Sequence, residues 1–190
     1  MARESIPPKI ALRATMRERR RGLSAADPGA AERAAALFPI GSLTRFTVVA
    51  GYHSVGVELD PAPLLRRLVS AGAKLVLPAA VDRDAPLIFR AADAPERFVP
   101  DALGIPSPPA SARQMTPDLV IVPVVAFDRR GARLGQGAGC YDRTLEALRA
   151  AGAVFALGLA YAGQEVAEVP AEPHDQRLDA ILTENGYIEV

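Results

Sequence analysis

Apolar positions along the chain follow two periods, one typical of buried strands and one typical of amphipathic helices. Short apolar runs, most of them rich in β-branched residues, predict strands over residues 46–52, 74–78, 87–92, 119–127, 155–161 and 180–183. The run at 87–92 is expected to form part of a hairpin. Amphipathic stretches predict helices over residues 9–21, 29–38, 64–72 and 141–151. The Pro-rich stretch 100–117 predicts a long irregular connection.

Capping residues support two of these helices. Asp27 with Pro28, and Asp60 with Pro61, each predict a helix start, because Asp is favoured at the N-cap and Pro at the first helical position. Gly72 is typical of the residue just past a helix end. Both helices therefore have their own start signals.

The order of the elements predicts the fold. Strands that are apolar along their whole length, alternating with helices, are typical of a mostly parallel sheet with helices on both faces. We expect a three-layer α/β/α fold in a single domain over residues 1–190. Because ligands bind beyond the carboxyl ends of parallel strands, the loop at 128–142 is the expected ligand site.

Composition and charge exclude several classes of protein. Of 190 residues, 49% are apolar and 23% are charged, which is typical of a globular chain. Equal numbers of basic and acidic residues, 22 each, argue against a general nucleic-acid binder or a membrane-surface protein. One cysteine excludes a disulfide framework. The opening residues lack the apolar core of a signal peptide, so we expect a cytoplasmic protein. We also expect a monomer whose partners are small molecules, not nucleic acid or membrane.

The loop at 128–142 combines glycines with basic residues. Its glycines allow the backbone to approach a ligand, and its amides, near the start of a helix, favour an anion such as phosphate. Arg129, Arg130 and Arg133 add positive charge, and Asp142 could hold magnesium. The alternative is a flexible surface loop in which Asp142 only caps the helix. The loop matches neither a Walker motif nor a dinucleotide fingerprint.

The first predicted helix has a basic side. Lys9 and Arg13 are four residues apart, so both leave one face of the helix, where two cations suit a polyphosphate. The alternative is a solvated basic face. Like charges at this spacing repel by roughly 0.2–0.5 kcal/mol, and a bound anion would relieve that repulsion.

The loop RLGQGAGCYDR, after the segment DLVIVPVVAFDRRG, resembles the signature of the 5-formyltetrahydrofolate cyclo-ligase (5,10-methenyltetrahydrofolate synthetase) family. Further family-like segments follow in order: KIALR, GYHSVGVELDPAPLL, LGIPSP and VPAEPHDQRLDAILTE. The resemblance covers Lys9 to Glu184. It implies a phosphosugar-isomerase/CoA-transferase-like architecture and an enzyme that converts 5-formyltetrahydrofolate to 5,10-methenyltetrahydrofolate, with ATP as co-substrate and Mg²⁺ as cofactor.

The resemblance also implies roles for individual residues. ATP would be bound by Lys9, Ile10, Ala11, Leu12, Arg13, Arg133, Leu134, Gly135, Gln136, Gly137, Ala138, Gly139, Cys140 and Tyr141. The folate would be bound by His53, Glu58, Gln136, Gly137, Ala138, Gly139 and Cys140. Glu58 would accept hydrogen bonds from the pterin ring. Asp142 and Asp179 would hold magnesium, and Arg133 and Lys9 would be the catalytic groups.

Two departures from the family pattern fall in the loop. Ala138 stands where the family usually has Gly or Lys, and Cys140 where it usually has Tyr, so weaker stacking on the folate is expected. We expect Cys140 to line the pocket and not to act as a nucleophile. His174 is expected at the rim, although with Asp175 it could ligate a metal.

The implied reaction needs alignment and charge stabilisation, and no nucleophile from the protein. Two rival functions stay open at this point. One is a catalytically impaired paralogue that binds folate or nucleotide. The other is a phosphosugar-isomerase-like enzyme, which would need no ATP.

Overall fold

The computed structural model describes residues 8–39, 41 and 46–190. Within them the helices are α1 (Pro8–Ala26), α2 (Ala30–Leu37), α3 (Ala62–Ser70) and α4 (Cys140–Ala151). The strands are β1 (Val48–Ala50), β2 (Lys74–Ala79), β3 (Ile88–Ala91), β4 (Val99–Pro100), β5 (Pro106–Ser107), β6 (Leu119–Pro123), β7 (Ala126–Phe127), β8 (Arg133–Leu134), β9 (Phe155–Leu159), β10 (Ala180–Thr183) and β11 (Gly186–Glu189). Short 3-10 turns cover Pro95–Arg97 and Ala162–Gln164.

Seven strands form the central sheet, in the order β11-β10-β9-β6-β1-β2-β3. The five inner strands are parallel, and the two edge strands, β3 and β11, are antiparallel to their neighbours. The predicted hairpin at 87–92 is therefore confirmed as β3 against β2. Because the chain moves from β1 outward to β2 and returns on the other side at β6, the sheet has its switch point between β1 and β6.

Successive side chains along each strand point to opposite faces of the sheet and pack into two separate cores. On one face, Leu119 and Ile121 are fully buried in a cluster that includes Leu64 and Leu68 of α3 and alanines of α2. On the other face, Val120 and Val122 pack in a cluster that includes Leu145 of α4. Helices thus cover both faces of the sheet, and the predicted three-layer α/β/α fold with a mostly parallel sheet is confirmed.

The predicted strand over 119–127 is wrong in its second half. The chain leaves the sheet after Pro123, and the carbonyl oxygens of Val124 and Val125 accept hydrogen bonds from Nε2 of Gln164 at 2.8 and 2.9 Å. The next residues form β7, which pairs with β8 in a separate hairpin. Val125, Ala126 and Leu134 are buried with Met16 of α1, whereas Phe127 packs in the same core as Val122 and Leu145.

The helix starts are shifted from the predicted positions. α2 has Gly29 at its N-cap, with no side-chain cap, and the Asp27 carboxylate pairs with Arg33. α3 has Pro61 at its N-cap, and Oδ1 of Asp60 accepts a hydrogen bond from the Ala62 N–H at 3.0 Å. The basic helix α1 continues to Ala26, past the predicted end at 21.

Within the described ranges, the helices lack the combination of length and apolar character that a membrane span requires. The predicted cytoplasmic location also depends on the opening residues, of which 1–7 lie outside the described part of the chain.

Candidate functional site

A cavity of about 500 Å³ lies where the chain leaves the carboxyl ends of β1, β2 and β6, at the switch point of the sheet. Four segments that are distant in sequence meet there: the start of α1, residues 52–58 after β1, the loop from β8 into α4, and residues 172–175. Apolar side chains from β2 and from 103–106 complete the wall. The structure therefore brings the basic helix and the Gly-rich loop together at one cavity.

Three basic side chains, from α1 and β8, meet at the cavity. Lys9, Arg13 and Arg133 all line it. Nζ of Lys9 lies 2.7 Å from Oδ2 of Asp175 and 3.1 Å from Oε2 of Glu172. Nε of Arg13 donates to the carbonyl oxygen of Gly135 at 2.8 Å, which ties α1 to the Gly-rich loop.

The ion pair of Lys9 and Asp175 keeps both groups charged. Burial lowers the pKa of Lys9, but hydrogen bonds to Asp175 and Glu172 outweigh this effect and raise its pKa overall. Burial raises the pKa of Asp175, while the Lys9 ammonium and the Glu172 backbone N–H lower it, and the net pKa is lowered. Both residues are therefore ionised at neutral pH.

Arg133 is held firmly at the cavity wall. Its side chain is 4% exposed, and its guanidinium donates to Oδ1 of Asp142 at 2.8 Å and to the carbonyl oxygen of Gln176. The Gln176 N–H donates to the same Asp142 oxygen at 3.0 Å. These bonds fix Arg133 at the cavity wall beside the first turn of α4.

The Gly-rich loop places backbone against the cavity. Gly137 and Gly139 have φ angles of +109° and +69°, and Gly139 is the N-cap of α4. The positive φ at Gly139 favours glycine; a Cβ there would lie 2.8 Å from the Arg143 guanidinium, the end of a flexible side chain that can shift. An exposed backbone at a helix amino end is a favourable setting for an anion. The loop begins with buried Arg133 and lines the cavity, while Gln136, Gly137 and Ala138 are exposed; the N-cap of α4 is Gly139 and not Asp142.

The cavity wall also carries Glu58, whose side chain is 6% exposed. Its Oε2 accepts the Val55 N–H at 3.0 Å, and its Oε1 accepts Nε2 of Gln136 at 3.0 Å. Tyr52 lies nearby and donates its hydroxyl to the carbonyl oxygen of Leu59; burial raises the pKa of Tyr52, so it stays protonated. A carboxylate in this setting can accept hydrogen bonds from a ligand.

The other predicted binding residues divide into two groups. His53, Leu134 and the residues from Gly135 to Tyr141 line the cavity, as do Lys9, Arg13 and Arg133. Ile10, Ala11 and Leu12 are not among the lining residues; Leu12 instead packs toward the β7–β8 hairpin, and Ile10 is exposed.

Cys140 and His174 lie where the sequence predicts them. Cys140 is buried in the wall, with Sγ 3.8 Å from the carbonyl oxygen of Arg83. His174 lies at the rim, and its side chain is 69% exposed.

The two predicted magnesium ligands are not brought together. Asp142 lines the cavity, whereas Asp179 does not. Oδ2 of Asp179 accepts hydrogen bonds from the Ala156 N–H at 2.7 Å and from Arg149 at 3.0 Å. The acid of this tail segment that does line the cavity is Asp175, with Glu172 beside it. Ligand atoms of Glu172, His174 and Asp175 lie within 4.8 Å of one another.

Two arginines of α1 that the sequence indicates only as part of its basic run, with Arg19 and Arg21, also reach the site. Arg17 contacts Gln136, and Arg20 lies 3.5 Å from Glu58. Helical spacing does not separate them from their neighbours, because Arg20 and Arg21 lie three and four residues after Arg17.

The fold and the site define a class: an α/β protein whose cleft, at the switch point of the sheet, combines basic side chains, a helix amino end, a buried carboxylate and apolar walls. A family model described as the 5-formyltetrahydrofolate cyclo-ligase family matches residues 5–184. The chain belongs to this family, and the resemblance drawn from its motifs is confirmed.

Individual relatives agree with the family match. The chain is 36% identical over 142 residues to the 5-formyltetrahydrofolate cyclo-ligase of Mycolicibacterium smegmatis, covering 71% of this chain and 72% of the relative. It is 36% identical over 140 residues to that of Escherichia coli, covering 71% and 76%.

Two solved structures share the fold. The 5,10-methenyltetrahydrofolate synthetase of Aquifex aeolicus has a TM-score of 0.71 and 26% identity over 95% of this chain and 92% of its own. That of Mycoplasma pneumoniae has a TM-score of 0.72 over 94% of this chain and 99% of its own; at 22% identity it shows the fold alone.

Proposed function

We propose that this cyclo-ligase converts 5-formyltetrahydrofolate to 5,10-methenyltetrahydrofolate in a reaction that consumes ATP and releases ADP and phosphate. The observation that carries the proposal is that Lys9, Arg13 and Arg133 line the same cavity as the buried carboxylate of Glu58. With it we retain the expectation of a monomeric, cytoplasmic enzyme whose partners are small molecules.

The basic side chains of the cavity would bind the triphosphate. Lys9 offers a point charge, Arg13 and Arg133 offer guanidinium forks, and the loop at Gly137 and Gly139 offers backbone at a helix amino end. Lys9 is paired with Asp175 in the structure, and a phosphate would compete for that ammonium. The arrangement resembles other phosphoryl-transfer sites in supplying charge at fixed positions.

Magnesium fits the acids of the cavity wall. Mg²⁺ prefers carboxylate oxygens, usually one or two from the protein with the rest from phosphates and water. Asp142 and Asp175 would supply them, since both line the cavity and Asp179 does not. Bound there, Mg²⁺ would neutralise negative charge on the phosphates.

The part of the cavity around Glu58 would bind the pterin. Glu58 presents a buried carboxylate, which can accept hydrogen bonds from the ring N–H and amino groups. Leu77, Leu103 and Ile105 provide apolar walls for a flat ring. Cys140 adds a small side chain at this wall, where an aromatic residue would stack more extensively.

The reaction then needs two bond-forming steps. The formyl oxygen attacks the γ-phosphorus and ADP departs, which converts a poor leaving group into a phosphate. N10 attacks the activated carbon, and phosphate departs with the formyl oxygen and the N10 proton. The chain holds the two substrates in line, and Lys9 and Arg133 stabilise the charge that develops on the transferred phosphoryl group.

The test is a direct assay. Protein, Mg²⁺, ATP and 5-formyltetrahydrofolate are mixed, and the absorbance of the methenyl product is followed. Arg133→Ala should lower kcat by about 10²–10³-fold if Arg133 acts like a single preorganised donor. Arg129→Ala, which removes an exposed arginine paired with Glu165, is the matched control and should change kcat less than twofold.

Three results would contradict the proposal. Unchanged kcat in Arg133→Ala would remove Arg133 from the catalytic groups. Binding of both ligands by the wild-type protein without product would favour an impaired paralogue. Turnover of a sugar phosphate without ATP would favour the isomerase-like alternative.

A further inference from the structure

Arg20 places a positive charge in the interior beside the cavity. Its side chain is 6% exposed, and its Nη1 lies 3.3 Å from the carbonyl oxygen of Val124 and 3.5 Å from Oε1 of Glu58. Nε of Arg20 has no hydrogen-bond partner in the described part of the chain. A desolvated guanidinium with an unpaired N–H is costly unless a negative charge lies close to it. Among the described residues, Glu58 is the one carboxylate within 4.0 Å of Arg20.

Arg17 reaches the same carboxylate through an amide. Its Nε and Nη2 donate to Oε1 of Gln136 at 3.1 and 2.7 Å, and Nη2 also donates to the Gln136 carbonyl oxygen at 3.1 Å. Because Arg17 occupies the amide oxygen, the amide NH₂ of Gln136 is directed to Glu58 and donates to its Oε1. Without Arg17 the amide could turn and present its oxygen to the carboxylate.

Both contacts act on one oxygen of Glu58. Gln136 and Arg20 approach Oε1, while the Val55 N–H holds Oε2. Arg17 and Arg20 are three residues apart and share a face of α1. The intervening Arg19 is exposed, so the basic run of α1 has an inner side and an outer side.

From these contacts we propose that Arg17 and Arg20 are positioning residues that fix Glu58 for the folate, Arg20 directly and Arg17 through Gln136. The inference rests on the proposed function, in which Glu58 receives the pterin ring. An anchored Oε1 leaves the remaining acceptor positions of the carboxylate for the ligand. Loss of either arginine should therefore weaken folate binding and leave ATP binding nearly unchanged.

The experiment compares three arginine-to-methionine variants of one helix. Arg20→Met and Arg17→Met remove the proposed contacts, and Arg19→Met removes the same charge from an exposed position as the control. KM for 5-formyltetrahydrofolate, KM for ATP and kcat are measured for each. The dissociation constant of 5-formyltetrahydrofolate is also measured without ATP.

We expect the folate KM to rise about tenfold in Arg20→Met and about fivefold in Arg17→Met, the size of a lost hydrogen bond to a charged group. The ATP KM should stay within twofold of wild type in both, and Arg19→Met should match wild type. Because Arg17 is exposed, Arg17→Met decides the outcome if Arg20→Met fails to fold.

A double-mutant cycle tests the route through the amide. In a Gln136→Leu background, Arg17→Met should cause no further rise in folate KM, because its path to Glu58 is already absent. An undiminished effect of Arg17→Met in that background would overturn the route through Gln136.

The failure of this inference and that of the proposed function give different results. Wild-type protein without turnover overturns the proposed function, and the folate dissociation constants still test the arginines. Normal wild-type turnover with unchanged folate KM and dissociation constant in both variants overturns the inference alone. An equal rise in folate KM and ATP KM also overturns it, because a general loss of structure would then explain the data.

Discussion

The hairpin that carries Arg133 depends on one buried carboxylate, Asp128, which is 1% exposed. Its Oδ1 accepts the backbone N–H groups of Arg130 and Ala132 at 2.9 and 3.2 Å, and its Oδ2 accepts that of Val169 at 3.0 Å. In Asp128→Asn, an NH₂ group would face at least one of these donors. A buried N–H left unpaired costs about 1–3 kcal/mol, and the bonds that remain lose their charge. We expect a loss of about 3 kcal/mol in the free energy of unfolding.

The effect should depend on pH. Burial raises the pKa of Asp128, but the N–H groups of Val169, Arg130 and Ala132 lower it more, and the net pKa falls below the ordinary value of 3.8. A carboxylate with a lowered folded-state pKa stabilises the fold above its unfolded pKa and loses that effect as the pH falls through the folded pKa. The difference between wild type and Asp128→Asn should thus be complete at neutral pH and shrink below pH 3.8.

The assay is urea unfolding at neutral and acidic pH, with the m-value compared to ensure that only stability has changed. Asp93→Asn, at an exposed aspartate, is the control and should stay within about 0.5 kcal/mol of wild type. A loss below about 0.5 kcal/mol in Asp128→Asn at neutral pH would refute the reasoning. A difference that grows as the pH falls would refute it as well.

Two further predictions concern the core and the metal site. Leu145→Ala should lower the free energy of unfolding in urea by about 3 kcal/mol, because Leu145 is fully buried. Leu37→Ala, at a position that is 46% exposed, should lower it by less than about 1 kcal/mol. Similar losses in the two variants would contradict the assigned core. Asp179→Asn should lower stability by about 1–2 kcal/mol but leave the Mg²⁺ concentration for half-maximal rate within twofold of wild type. Asp142→Asn should raise that concentration at least about tenfold. A comparable rise of the half-maximal Mg²⁺ concentration in Asp179→Asn would show that Asp179 is a metal ligand after all.

Much of the fold could be predicted because burial leaves a direct trace in the sequence. The strands β6 and β9 are apolar along their length, since helices cover both faces of the sheet. The same signal failed after Pro123, because Ala126 is buried with Met16 of α1 and Phe127 in the core around Val120, while β7 pairs with β8 and not with the central sheet. Hydrophobicity shows that a residue is buried, but it does not show what buries it.

The candidate site could be predicted only in part, for a related reason. Glycines and charges identified the loop at Gly137 and the cations Lys9 and Arg13, and the structure places them at one cavity. Arg17 and Arg20 carry no such signal, because a buried arginine and a solvated one look alike in a basic helix. Their partners, Gln136 and Glu58, lie far away in sequence, so tertiary contact alone distinguishes them.

Asp175 and Asp179 are close in sequence but lie in different parts of the fold. Asp142 lies in the first turn of α4, and Arg149, which binds Asp179, lies in its last turn, about 10 Å further along the axis. Two carboxylate oxygens on one Mg²⁺ must lie within about 4 Å of each other. Asp179 directly precedes β10, at the amino ends of the parallel strands, whereas the cavity lies at their carboxyl ends. Between Asp175 and Asp179 the chain passes from the carboxyl ends of the parallel strands toward their amino ends. Four residues of sequence therefore separate Asp175, which lines the cavity, from Asp179, which instead bonds to Arg149 and Ala156.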